Sequence, residues 1–184
     1  MFYFFLMFSI VGRCRNCDGW RSNDRRPQRI RKNSVGGMRA SASRMDQYDD
    51  DYLERLREQI IGCAIEVHRI LGPGLLESIY VGCLCLEFAR VGLSFETDVY
   101  VPVMYKGDRA CHDMKIDILV EDCVIVEVKA VAALHPVHSA QVLTYLKLAD
   151  RPNGLLLNFN ATSLRAGLKK LVHPDLYTPK KRIS

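Results

Sequence analysis

Asp117 and, ten residues further on, Glu127-Val128-Lys129 lie in the stretch KIDILVEDCVIVEVKA, which reads as two short strands joined by a tight turn. Acids and a lysine inside runs of Ile, Val and Leu need partners, because an unpaired buried charge is strongly unfavourable. Two carboxylates converging on one sheet face with an ammonium beside them can hold a divalent cation and the water it activates. That chemistry points toward phosphodiester hydrolysis. The competing reading is an Asp–Lys–Glu salt-bridge cluster on a solvated face, and the D…ExK spacing alone does not separate the two.

Whether the acids meet depends on register. Met114, Ile116, Ile118 and Val120 alternate with Asp113, Lys115, Asp117 and Leu119; Val124, Val126 and Val128 alternate with Cys123, Ile125, Glu127 and Lys129. Both runs have the period of a strand. A two-residue turn at Glu121-Asp122 would set Asp117 against Val126 and send Glu127 to the other side. A three-residue turn, Glu121 to Cys123, pairs Val120 with Val124, Ile118 with Val126 and Ile116 with Val128. It makes one face aliphatic and puts Asp117 across from Glu127, with Cβ atoms about 5 Å apart. A slip of one residue scrambles both faces, so the hydrophobic pattern selects the three-residue turn. Facing carboxylates repel, and one has its pKa raised; Lys129 shares their face and offsets part of the repulsion.

Helices must bracket this hairpin. Asp49 to Asp51 suit a helix N-terminus, and Leu53, Leu56, Ile60, Cys63/Ala64, Val67 and Leu71 recur at helical spacing up to the stop Gly72-Pro73-Gly74. A second helix is predicted from about Leu75 to Val91. Its apolar residues lie nearly all round it, so it is expected to be largely buried. Glu77, in its first turn, either complements the helix dipole or reaches into a site. Phe95, Val99, Val101 and Val103 suggest a strand with Pro102 marking an edge or bulge, and Lys106-Gly107-Asp108 a turn. A helix over Pro136–Ala149 places Gln141 and Tyr145 on one face. His135 and His138 at its start fit cap and loop roles, and His68 fits a helix C-terminal cation better than a ligand. Gly154 to Asn160 reads as a buried strand, SLRAGLKKLV as a final amphipathic helix, and the tail 173–184 as loose.

Composition bounds the rest. The 184 residues suffice for one domain with a proper core. Residues 1–45 hold ten Lys/Arg and two Asp/Glu, a balance of +8, whereas residues 46–184 hold sixteen and nineteen, a balance of −3. The domain proper therefore lacks the broad basic footprint of a nonspecific DNA binder. The segment 1–45 is expected to be disordered; it reads as a nucleic-acid arm, a membrane anchor or, as the favoured reading, an extension ahead of a true start at Met38 or Met45. Its apolar run MFYFFLMFSIVG falls short of the roughly 20 residues that span a bilayer. Seven scattered cysteines argue against a disulfide framework and for a reducing, cytoplasmic setting. Cys14 and Cys17 have zinc-knuckle spacing, but no second pair follows at a suitable distance.

Gly74-Leu75-Leu76-Glu77-Ser78-Ile79-Tyr80 fits the name-giving motif of the GxxExxY protein family, and IIGCAIEVHRILGPGLLESIY, VIVEVKAV and HSAQVLTYLKL resemble its blocks in order. The resemblance runs from about Leu53 to Val172. It implies the restriction-endonuclease-like core of the PD-(D/E)XK nuclease superfamily: α/β, a central mixed sheet flanked by helices in the order αβββαβ, after an extra N-terminal helix, over 46–172. It further implies that Asp117 and Glu127 bind Mg²⁺ or Mn²⁺, that Glu77 joins them directly or through water, and that Lys129 is the motif lysine. Gln141 is implied as the supporting polar residue, and a DNA or RNA phosphodiester as substrate. Lys115 stands where an arginine is frequent; a lysine does not replace a bidentate phosphate contact. A binding module of the same fold without catalysis is the alternative.

Overall fold

The computed structural model describes residues 49–110 and 113–173. The segment 1–45, Cys14, Cys17, Cys111 and the tail beyond His173 lie outside the described residues.

Helix α1, Asp50–Leu71, starts on Asp49, whose carboxylate accepts the Asp51 N–H at 3.4 Å. It buries Leu53, Leu56, Ile60, Cys63, Ala64 and Val67, one stripe as the spacing predicts. His68 sits in its last turn, with Nε2 2.9 Å from the Ala161 carbonyl oxygen. Helix α2, Glu77–Arg90, departs from expectation in two ways. It begins two residues late, and it is not largely buried: only Tyr80, Leu84 and Phe88 are enclosed, while Leu76, Ile79 and Leu86 face out. Its inner side packs with α1 and the sheet into one core cluster, and no other described element covers the opposite side.

The main sheet has the order β1-β4-β5-β6-β7, built from β1 (Phe95–Val101), β4 (Met114–Val120), β5 (Val124–Lys129), β6 (Asn153–Asn158) and β7 (Leu168–Val172). The β5–β6 pair is parallel and the other three are antiparallel, so the sheet is mixed. A separate hairpin joins β2 (Met104–Tyr105) to β3 (Asp108–Arg109) around Lys106 and Gly107, both at positive φ. Helix α3, Pro136–Ala149, forms the crossover that the parallel pair requires. It lies so close to β6 that a Cβ at Gly154 would come within 2.5 Å of Val142 Cγ1.

The stretch read as a final helix is instead a turn followed by β7. Leu168–Val172 pairs antiparallel with β6, from Leu157–Leu168 to Asn153–Val172. Residues of β6 are buried throughout, so its second row of backbone groups needs a partner, and that demand overrides the helical spacing of the leucines. His173, read with the loose tail, is buried and donates its N–H to the Pro152 carbonyl at 3.0 Å.

The three-residue turn between β4 and β5 is the observed one: Val120 pairs with Val124, Leu119 with Ile125 and Ile118 with Val126. Glu121 and Asp122 both take positive φ, the Cys123 N–H closes on the Val120 carbonyl at 3.1 Å, and Cys123 is the extra residue. Ile116 is where the expectation fails. It packs with Val101, Leu119 and Ile125 on the α3 side, whereas Ile118, Val120, Val126 and Val128 pack toward α1 and α2. Strand β1 changes side at the same level: Phe95 joins the first cluster, Val99 and Val101 the second. The register places Asp98 opposite Asp117, and Asp98 has φ 51, a left-handed residue that breaks the pleat. Asp117 thus sits where two strands pass from one side of the sheet to the other.

Candidate active site

Strand β5 is the middle strand of five, and residues 124–128 are buried. Glu127 is 2% exposed, which is unusual for an acid. Its Oε1 accepts from Lys129 Nζ at 2.5 Å, and its Oε2 is buried without a hydrogen-bond partner among the described residues. Burial pushes the Glu127 carboxyl up to about 7; the Lys129 hydrogen bond opposes this, and the charges of Asp117 and Glu77 add to it. Burial works to lower the Lys129 ammonium, but the Glu127 hydrogen bond and the charges of Glu127, Glu77 and Asp117 hold it above its ordinary value.

Asp117 lies one step beyond the last β4–β5 ladder pair, Ile118–Val126. Its Oδ2 accepts the Val128 N–H at 3.0 Å, so a side chain takes a main-chain donor where the expected Ile116–Val128 pairing would have continued. Burial raises its pKa, against the Val128 hydrogen bond and the Lys129 charge.

Glu77 arrives from the other side of the chain order. Gly74, at φ 98, turns the chain into α2, and at that angle any other residue is strained. Tyr80, fully buried, donates to the Gly72 carbonyl at 2.7 Å and accepts the Leu75 N–H at 3.1 Å, and its ring stacks on Phe159 at 4.4 Å. The loop is therefore pinned, and Glu77 Oε1 accepts the Ala130 N–H at 3.0 Å, just past the end of β5. Each fixed position of G-x-x-E-x-x-Y has a separate physical task. Tyr80→Phe should cost about 0.5–1.5 kcal/mol of stability by removing the hydroxyl that bridges the Gly72 carbonyl and the Leu75 amide. Urea denaturation of both proteins checks this, and an unchanged midpoint would refute the pinning.

Gln141 meets the site at one remove. Its Nε2 donates to the Tyr145 hydroxyl at 2.7 Å. Tyr145 is 3% exposed, and its pKa is raised first by burial and then by the charges of Glu127 and Asp117, so the phenol belongs to the same electrostatic cluster. Its signal in the sequence is the four-residue step from Gln141. Asn158 was missed there altogether. Its Oδ1 accepts the N–H groups of Val131 and Asn160 at 3.1 and 3.2 Å, and its Nδ2 donates to the Val131 carbonyl at 2.8 Å, clamping the chain just past Lys129. A lone amide ending a run of leucines was its only trace. His135 and His138 cap α3, the His135 N–H donating to His138 Nδ1 at 3.1 Å.

Among the described residues no three His, Cys, Asp or Glu side chains are gathered tightly enough to hold a metal as they stand. The reason is local: Glu77 and Asp117 each give an oxygen to a backbone amide, and Glu127 gives one to Lys129. The donor set nevertheless fits a hard divalent cation. It is made of carboxylate oxygens, and the buried Glu127 Oε2, without a partner among the described residues, is an acceptor that a cation could satisfy where it lies.

Residues 54–171 match the model of the PD-(D/E)XK nuclease superfamily. No curated protein and no solved structure matches the chain. No helix among the described residues is long and apolar enough to cross a membrane.

Proposed function

The chain belongs to the PD-(D/E)XK nuclease superfamily, and from that premise we propose that it is a divalent-metal-dependent nuclease of the GxxExxY branch, hydrolysing nucleic-acid phosphodiester bonds. The observation that carries this reading is Glu127 Oε2: a buried carboxylate oxygen without a partner, beside Asp117 and Lys129. Asp117 and Glu127 would hold Mg²⁺ or Mn²⁺, with Glu77 joining directly or through water. The bound cation supplies Lewis-acid chemistry, making a water nucleophilic and neutralising phosphate charge. Lys129 carries an ammonium that stays charged in its buried place, ready to orient the nucleophile or donate to the oxygen on which charge develops. Gln141 and Tyr145 fix the polar wall on the α3 side.

The −3 balance of residues 46–184 favours a second reading, a nuclease-like module that binds nucleic acid or a partner protein without cutting. Cleavage of single- and double-stranded DNA and RNA with Mg²⁺ or Mn²⁺, compared with Asp117→Asn, separates the two. The wild type should cut and the variant should lose at least about 100-fold, the scale of removing one group that stabilises transition-state charge. Equal activity in both would mark a contaminant and leave the binding module. Calorimetric Mn²⁺ titration should show binding that tightens from pH 6 to pH 8, because the cation displaces the proton that Glu127 holds below about 7. The absence of any Mn²⁺ heat would overturn the metal assignment.

A further inference from the structure

Asn158 ends β6 as a buried amide between Leu157 and Phe159. In the parallel ladder it pairs with Lys129, and the Phe159 N–H donates to the Lys129 carbonyl at 2.8 Å. The chain then turns away at residues 159–160, and Asn158 extends the ladder with its own side chain. Its Oδ1 takes the Val131 N–H at 3.1 Å and its Nδ2 donates to the Val131 carbonyl at 2.8 Å. A carboxamide carries an acceptor and a donor side by side, as a peptide does. It therefore stands in for the rung that β6 no longer supplies.

This rung has a consequence for the residue it spans. Along an extended chain the main-chain groups of successive residues point to alternate sides. Lys129 and Val131 both give theirs to β6, so Ala130, held between them, turns its N–H the opposite way. Two residues earlier, on that side, Asp117 of β4 takes the Val128 N–H. The Ala130 N–H meets Glu77 Oε1 at 3.0 Å. Asn158 is in turn seated from behind. Its N–H donates to the Gly167 carbonyl at 2.9 Å, and Gly167 lies so close that a Cβ there would collide with the Asn158 carbonyl oxygen. A side chain at 167 would push Asn158, and the rung with it, out of place.

We infer that Asn158, seated on Gly167, is a positioning residue of the candidate site: by fixing Val131 it sets the direction of the Ala130 N–H, and through that amide the carboxylate of Glu77. Its effect on a bound cation rests on the nuclease reading. Its effect on the Ala130 amide does not, because the hydrogen bonds that transmit it are made by the chain alone.

The test is amide hydrogen exchange followed by NMR on the metal-free protein in EDTA. The proteins are the wild type, Asn158→Ala, Glu77→Gln and the double variant. In Asn158→Ala, exchange at Ala130 and Val131 should quicken about tenfold more than at Ile125, inside the same sheet, as loss of a local hydrogen bond does. A residue that only stabilises the fold would quicken all three alike; that outcome, or an unchanged Ala130, would overturn the positioning role. The Ala130 amide proton should also shift on Glu77→Gln, and shift less when Asn158 is already alanine. An undiminished shift would show that Glu77 is aimed without Asn158. If Asn158→Ala does not fold, wild-type exchange across a urea series decides: Ala130 and Val131 should open in one step, and separate openings would refute the rung. Mn²⁺ calorimetry on the same proteins keeps the two readings apart. Where the wild type binds, Asn158→Ala should weaken binding about 10–100-fold, as loss of an outer hydrogen bond around a metal ligand does, and should add little once Glu77 is glutamine. Unchanged binding, or an equal further loss in the double variant, removes the action through Glu77. No heat from any protein removes the metal reading and leaves the exchange rates to decide on Asn158.

Discussion

Glutamine at position 127 should give a protein that is more stable than the wild type at pH 8 and unable to cut. The Glu127 carboxyl is lifted from 4.5 to about 7 by burial first, with the Asp117 and Glu77 charges adding to it. A folded-state value above the unfolded one means that the folded chain holds the proton more tightly. Below about pH 4.5 the carboxyl is neutral in both states and costs nothing. As the pH rises toward 7 the unfolded chain ionises first, and stability falls. Above about 7 the full cost is present, on the order of 3 kcal/mol. Glutamine keeps the volume, offers Lys129 an oxygen and carries no charge, so Glu127→Gln should recover up to about that amount at pH 8 and almost none at pH 4. Metal-free denaturation at both pH values measures it. Identical pH dependence in the two proteins would show that Glu127 is not held as an unsatisfied carboxyl. The same substitution removes a proposed cation ligand, so cleavage should vanish; gain in stability with loss of function is the signature of a strained site.

Lys129→Ala should damage the chemistry and, unlike Glu127→Gln, also be costly to the fold. Among the described residues Lys129 supplies the only hydrogen bond to Glu127 Oε1, and Oε2 has none, so its removal strands both oxygens of a buried acid. The acid then takes up a proton more readily, and its pKa climbs further. Cleavage should drop about 10²–10³-fold, the effect of deleting one donor aimed at developing charge. The acidic limb of the pH–rate profile should also move to higher pH. A lysine with only a structural role would lower stability without moving that limb. Lys129→Arg restores charge but not the shape of the contact, and should restore the position of the limb more than the rate.

Much of this site can be read from the chain alone because strands repeat with period two. The choice of a three-residue turn follows from which slip keeps Ile118, Val120, Val124 and Val126 on one face, and the structure has that register. Alternation fails to foresee Asp98: one left-handed residue carries β1 and β4 across the sheet and takes Ile116 with it. No local pattern announces such a residue, since its conformation is imposed by the strands it joins. The failure at Leu168–Val172 is of the same kind. Two leucines three apart suit a helix, but the open edge of β6 demanded a strand. The exposure of α2 was hidden for a different reason: composition tells how apolar a helix is, not how many neighbours it will have. The chain leaves Glu77 balanced between a dipole and a site; in the structure it accepts the Ala130 N–H, and its charge bears on Asp117 and Glu127.

Two of the three acids are aimed by main-chain amides, those of Val128 and Ala130. A peptide N–H is the same whatever side chain it carries. Mutational drift at those two positions therefore leaves the aim of the acids intact, provided the new residue fits its surroundings. Proline alone, which lacks the donor, is shut out. The site's geometry is in this way insulated from the variability of its own neighbours, and its heritable part shrinks to the acids, the lysine and the glycine and tyrosine that fold the α2 loop.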